Sequence, residues 1–245
     1  NCVFRDNGSF GVYASNAAGV VVEGSSFTNT GNVAVMLQSC PGPVVRNNTI
    51  RNTGIEGQGT GGGVTALEYS AVSLSGCSNA RVEGNTIVRT GYNAVHFLFA
   101  GGYRIERNVI DSFNLVKDDG GGIYTWNAPP VPVAYDRSFI LNNVVLNGIA
   151  AAGSRNTGGS PAYGIYMDDN AANIEISGNT VANCAGSGIY IHNANNLTLR
   201  RNTVWNCGPN SFGAYGQLQF LGNSGYRIRS IRLAGNIFAS RVNGQ

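Results

Sequence analysis

The sequence predicts an all-β solenoid, a rod of stacked coils whose rungs are strands. Three observations carry that prediction. First, a phrase ending in Asn-x-(Ile/Val/Phe) recurs along the chain: Asn48-Thr49-Ile50, Asn85-Thr86-Ile87, Asn108-Val109-Ile110, Asn143-Val144-Val145, Asn179-Thr180-Val181, Asn202-Thr203-Val204 and Asn236-Ile237-Phe238. Cys2-Val3-Phe4 and Ser25-Ser26-Phe27 fit the same frame, and successive gaps are 23, 23, 37, 23, 35, 36, 23 and 34 residues. The short gap is one basic coil, and each longer gap is a coil carrying an insertion. Second, a small–apolar–x phrase precedes each anchor, 14 residues ahead in five of eight coils. Third, charged residues make up only 12% of the chain while glycine reaches 35 residues, a composition suited to turn-rich β structure.

Each element follows from these phrases. Strand alternation assigns Val12, Val35, Val72, Val95, Ile123, Ile165, Ile189 and Leu218 to one inward apolar stack. A second strand contributes Val22, Val45, Val82, Ile105, Ile140, Ile176, Leu199 and Leu233 to another. The anchor asparagines read as a structural turn ladder, because stacked amides bond one another and tolerate left-handed backbone. Eight coils at ~4.8 Å spacing give a rod roughly 38 Å tall. The unbroken rhythm reads as a single domain over 1–245. Both ends are already in register with the ladder, which reads as part of a longer protein without its end caps.

At this point the chain resembles the right-handed parallel β-helix proteins of the pectate-lyase-like superfamily, over essentially its whole length. The stretches Asp119-Gly-Gly-Gly-Ile-Tyr-Thr125 and Gly164-Ile-Tyr-Met-Asp-Asp169 resemble phrases of bacterial β-helix proteins associated with polysaccharide breakdown. The resemblance implies a carbohydrate role and an extracellular, cell-surface or periplasmic location. Paired aspartates followed one coil later by a histidine resemble the polygalacturonase arrangement. The glycines around that histidine and the downstream Arg-x-Lys are missing here, so that mechanism does not carry over.

The cysteines obey the columns. Cys40 and Cys77 are equivalent in adjacent coils, as are Cys184 and Cys207, and rung spacing lies within disulfide range. The same column is filled elsewhere by Thr30, Thr53 and Thr90, so a stack of small buried side chains fits equally well. Cys2 has no partner column, and no metal-type cysteine spacing occurs.

The outward ribbon of the small–apolar–x strand is the candidate functional face. It reads Tyr13/Ser15, Met36/Gln38, Ser73/Ser75, His96/Leu98, Tyr124/Trp126, Tyr166/Asp168, Tyr190/His192 and Gln219/Leu221, and it holds both histidines of the chain. Aromatics mixed with polar groups on a flat sheet suit sugar rings, which need stacking faces and hydrogen-bonding edges. The opposing expectation is an aromatic stack that only stiffens the sheet or lies under loops. Insertions at 51–70, 111–121, 146–163 and 205–215 all enter just before this ribbon and predict a wall along one edge.

Two acid clusters compete for the chemistry. At the loop edge, Glu68 and Asp119 share a column two coils apart, roughly 9–10 Å at the backbone. Lys117, Asp118, His96 and Tyr124 lie nearby. A spaced carboxylate pair suits an inverting glycosidase, whereas Lys, His and Tyr beside carboxylates suit a lyase. At the far end of the strand, Trp126, Asp168 and His192 stack in successive coils, with Asp169 entering the turn. An acid–imidazole pair is expected there. Rise per residue puts the two clusters ~15–20 Å apart, as two sites rather than one. Substrate contacts are expected from Tyr124, Trp126, Tyr166, Tyr190, Asp118 and Asp169.

The expected partner is a polysaccharide, with hydrolase and lyase both open. The alternative class is a non-catalytic rod: an adhesin, tailspike segment or filament subunit. Nucleic acid is not expected, because arginines do not gather on the aromatic face. No run of 18 apolar residues exists, so no membrane-crossing helix is expected. No cofactor is expected; Ca²⁺ is conceivable at the aspartate pairs, without a ligand-loop spacing to support it. A net charge of +3 leans weakly towards anionic partners. Nothing in the sequence specifies an oligomeric state.

Overall fold

The computed structural model describes residues 1–55, 68–127, 135–150, 161–208, 216–223 and 228–241. Of the four insertions, only that at 111–121 lies wholly within them. Most of 51–70, 146–163 and 205–215, and most of the segments Ala128–Asp136 and Gly222–Tyr226, lie outside. The described residues form three parallel sheets and no helix, as a right-handed parallel β-helix of about eight coils. The anchor sheet has nine strands, from Val3–Arg5 to Ile237–Ala239. The ribbon sheet has eight, from Phe10–Ser15 to Leu218–Leu221, and the third has eight, from Val21–Glu23 to Arg229–Ala234.

The register is the one the repeats predict. Val12 pairs with Val35, Val35 with Val72, Val72 with Val95, Val95 with Ile123, Ile123 with Ile165, Ile165 with Ile189 and Ile189 with Leu218. The second stack runs the same way from Val22–Val45 to Leu199–Leu233. These columns are the core: every member from Val35 to Ile189 in the first, and from Val45 to Leu199 in the second, is fully buried.

The Asn column joins the coils. The Asn48 amide donates through Nδ2 to Val22 O at 2.9 Å and to Asn85 Oδ1 at 3.0 Å, while its backbone N–H donates to the same oxygen. Asn85, Asn108, Asn143, Asn179 and Asn202 repeat the pattern. The small residue of the other phrase is a packing requirement. A Cβ on Gly164, within the Ala162–Met167 ribbon strand, would run into the Val181 side chain and the Gly188 carbonyl.

The cysteine columns take the small-side-chain form. All five are free thiols; Cys40, Cys77, Cys184 and Cys207 are fully buried, and the Cys184 N–H donates to Cys207 Sγ at 3.5 Å. On the third sheet Glu23 pairs with Arg46 at 2.6 Å and Glu175 with Arg137 at 2.9 Å. Such half-exposed pairs contribute little stability.

Candidate active site

The site lies on the ribbon sheet between the Val95–Leu98 and Ile189–His192 strands. Register stacks His96, Tyr124, Tyr166 and Tyr190 in one column. Successive rings sit 4.8–4.9 Å apart, one ring per rung. This column is not the open stacking platform the sequence leads one to expect. His96 is fully buried and Tyr124, Tyr166 and Tyr190 are nearly so. The covering side chain in the described residues is Tyr163, which packs on Tyr166 at 4.8 Å and on Tyr190 at 4.4 Å. Burial pushes the Tyr124 and Tyr166 phenols well above their ordinary range, so both stay protonated.

The column's outlet is the carboxylate end of the strands. The Tyr124 hydroxyl donates to Asp168 Oδ2 at 2.8 Å, and His192 Nδ1 meets Asp168 Oδ1 at 2.6 Å. Both oxygens of Asp168 are thereby engaged, which holds the imidazole in one orientation. That hydrogen bond raises the His192 pKa, against the opposing effect of burial. Asp169 Oδ1 accepts from Asn193 Nδ2 at 2.6 Å and lies 3.5 Å from His192 Nδ1. Of these side chains Asp169 is the most open, at 36%, against 14–15% for Asp168 and His192. Asp168, Asp169 and His192 also form the group, among the described residues, whose ligand atoms lie close enough together (within 4.8 Å) to hold a cation. Trp126 packs against the tyrosine cluster and meets Phe99 edge-on at 5.5 Å; its Nε1 has no hydrogen-bond partner among the described residues.

The loop-edge cluster is centred on Asp119. Asp119 sits in the left-handed region at φ 52°, at the entrance of the Gly120–Thr125 strand. Burial first, then the negative charges of Asp168, Asp118 and Asp169, push its carboxyl up to about 6, with His192 pulling the other way. The charges of Asp168, Asp169 and His192 thus bear on the Asp119 carboxyl. Tyr124 reaches Asp168 with its hydroxyl, and Tyr92 holds the loop edge by donating its hydroxyl to Asp119 O at 2.8 Å.

The remaining candidates lie behind Asp119. Lys117 is buried with its ammonium 4.3 Å from the Tyr92 ring centroid, and burial lowers its pKa to about 8 against the opposing charges of Glu68 and Asp118. Asp118 is buried, and Glu68 is half-buried with Oε2 lacking a hydrogen-bond partner among the described residues. The side chains of Lys117, Asp118, His96 and Tyr124 are therefore buried and not on the outer surface of the rod. Tyr92 and Tyr163 escaped the sequence reading. Tyr92 directly follows Gly91 of the Glu68–Asp119 column, and Tyr163 directly precedes the Gly164 phrase, one step outside the periodic positions.

The three parallel sheets define a β-helix protein with an acid–imidazole cluster on one sheet. The chain belongs to the right-handed β-helix family: the family's "right handed beta helix region" matches residues 1–68 and 63–230. No curated protein matches it in sequence. The fold is similar to that of the periplasmic alginate epimerase AlgG, at TM-score 0.55 and 12% identity over 96% of this chain and 49% of that one. Also similar are a thermostable GH87 α-1,3-glucanase from Streptomyces thermodiastaticus strain HF3-3 (TM-score 0.49, 14% identity, 94% and 47%) and the A-module of the Azotobacter vinelandii mannuronan C-5 epimerase AlgE6 (0.46, 11%, 99% and 77%). The chain spans about half the length of the first two.

Proposed function

We propose that the protein is a polysaccharide-acting enzyme that hydrolyses a glycosidic bond at the Asp119–Asp168–Asp169–His192 cluster. The observation that carries this reading is the inequality of its carboxyls. Asp119 is held near pKa 6 by burial and neighbouring charge, whereas Asp168 is tied up by a phenol and an imidazole and Asp169 lies more open. Environments that separate two carboxyls assign one as acid and the other as base. Asp119 supplies a proton to the leaving glycosidic oxygen, and Asp169 takes one from the attacking water. Asp168 and Tyr124 fix the geometry of His192 beside them. Three carboxyls against one imidazole favour an uncharged sugar ring at this point over a uronate. An extracellular, cell-surface or periplasmic location accompanies this activity.

A second reading, proton abstraction from a uronate, draws on the His192–Asp168 pair, because a carboxylate on Nδ1 orients an imidazole to act as a base. It is also the reading that sits with the alginate epimerase among the proteins of similar fold.

One experiment separates them. The protein is incubated with neutral and uronate polysaccharides in ¹⁸O-labelled or deuterated water, and the products are weighed. Hydrolysis puts one ¹⁸O at each new reducing end and is lost in Asp119→Asn and Asp169→Asn, by about 10²–10⁴-fold in kcat. Unsaturated fragments, or carbon-bound deuterium without cleavage, establish proton abstraction instead. Neither cleavage nor exchange across the panel overturns the enzyme reading in favour of a non-catalytic rod.

A further inference from the structure

A polar depression lies at the turn between the anchor and ribbon sheets, on the edge that carries Asp119, in the first four coils. Its volume is about 520 Å³, and it is lined by Asp6–Gly8, Asn29–Gly31, Asn52, Ile55 and Arg89. A depression of that size falls in the range that holds small ligands. Four of the lining residues form a column at the C-terminal ends of the anchor strands. All four have left-handed backbone, at φ 55°, 55°, 54° and 62° for Asp6, Asn29, Asn52 and Arg89.

The column is linked by hydrogen bonds. Asn29 Nδ2 donates to Asp6 Oδ1 at 2.8 Å, Asn52 Nδ2 to Asn29 Oδ1 at 3.0 Å and Arg89 Nε to Asn52 Oδ1 at 3.1 Å. Each link uses only part of the group's capacity. A carboxamide carries two N–H donors and two lone pairs, and a guanidinium carries five N–H donors, so donors and acceptors remain along the column. These remaining groups recur at rung spacing, ~4.8 Å, and are of the kind that bonds a hydroxyl-rich ligand.

An aromatic pair adjoins this depression. The strand that begins two residues after Gly8 carries Phe10 and Tyr13, with rings 5.5 Å apart and exposures of 37% and 54%. These are the same columns that hold Tyr163 and Tyr166, but here the rings are open. At the other side, Arg89 stands three residues before Tyr92, whose hydroxyl holds Asp119. The depression thus runs from an open aromatic pair towards the acid of the candidate active site.

We propose that this corner is a second carbohydrate-binding subsite, which takes a neutral, hydroxyl-rich pyranose segment of the same polymer one or more rungs away from Asp119. It rests on the carbohydrate reading above but not on catalysis. The test is amide chemical-shift mapping of the ¹⁵N-labelled protein titrated with cellohexaose, mannohexaose and a hexauronate. Saturable shifts at Gly8, Gly31 and Ile55 with a neutral hexasaccharide are expected, and Arg89→Gln and Asn52→Ser are expected to weaken that binding at least tenfold. Shifts confined to the Asp168–Asn193 region, or silence with every probe, overturn the subsite. The wild-type map stands even where a variant folds poorly. Pocket shifts without any product from polymer leave the subsite standing and sink the enzyme reading. Cleavage with a silent pocket does the reverse.

Discussion

Asp119 is the residue on which chemistry and stability oppose each other. Its carboxyl has an ordinary pKa of 3.8 and rises to about 6 in the folded chain, chiefly through burial. A raised carboxylate pKa means that the folded state binds the proton more tightly than the unfolded state. The folded chain is therefore penalised once the group ionises: the penalty is absent below pH 3.8, grows between 3.8 and 6, and is complete above 6. Asparagine cannot ionise and tolerates the left-handed φ of 52° found here. Asp119→Asn is expected to raise unfolding free energy by roughly 1–3 kcal/mol at pH 7 and by little at pH 3.5. Denaturant unfolding of both proteins across this range measures the difference. A gap that stays constant with pH would show that the group is not held at raised pKa. In turnover, the limb of kcat/KM that falls as pH rises through about 6 should belong to Asp119 if it is the acid, and replacement of Lys117 should not remove it.

Among the elements, the Asn column makes the sharpest case. Asn143 Oδ1 accepts from the Asn108 N–H and from Asn108 Nδ2, both at 3.0 Å, while its own Nδ2 donates to Ile105 O at 2.9 Å. All of these groups are buried, so Asn143→Ala removes the acceptor of two Asn108 N–H groups and the donor to Ile105 O and Asn179 Oδ1. That change is expected to cost about 2–4 kcal/mol, read as a fall in the urea midpoint at constant slope; a loss under about 0.5 kcal/mol would mean that water or a shifted side chain takes the bonds. This column was legible in the sequence because its spacing is a property of the backbone, and so were both apolar stacks. The candidate site was legible only in part. Asp168 and His192 share a rung column by register, and their bond follows. The reach of the Tyr124 hydroxyl across to Asp168, the anchoring of Asp119 by Tyr92 and the covering of the ribbon by Tyr163 depend on side-chain length and direction. A column diagram built on rise per residue does not contain those quantities.

At the scale of the whole molecule, stacking makes stability a sum over neighbouring coils. Each central coil is covered on both sides, and the Gly120–Thr125 and Ala162–Met167 strands are buried at every position. The outer coils are covered on one side. The Arg229–Ala234 strand is exposed at all but one residue, the Ile237–Ala239 strand at all three, and Val3 and Val21 stand more than half exposed at the other end. In a fold of this kind a local opening that frees an end coil breaks one interface, whereas freeing a central coil breaks two. For the 245-residue chain taken by itself, amide exchange should therefore be slowest in the Ala94–His192 coils and quicken towards both ends, with the steepest change at the 229–239 strands. Uniform protection along the rod would show that the coils unfold as one unit and that the one-interface argument fails for this chain. The gradient also bears on the site: Asp119, Asp168 and His192 fall in the slow region, so their relative positions should persist through end fraying. The polar depression at Asp6–Arg89 reaches from the fast region into the slow one. An oligosaccharide bound there should slow exchange at Gly8 and Gly31 more than at any amide beside Asp168.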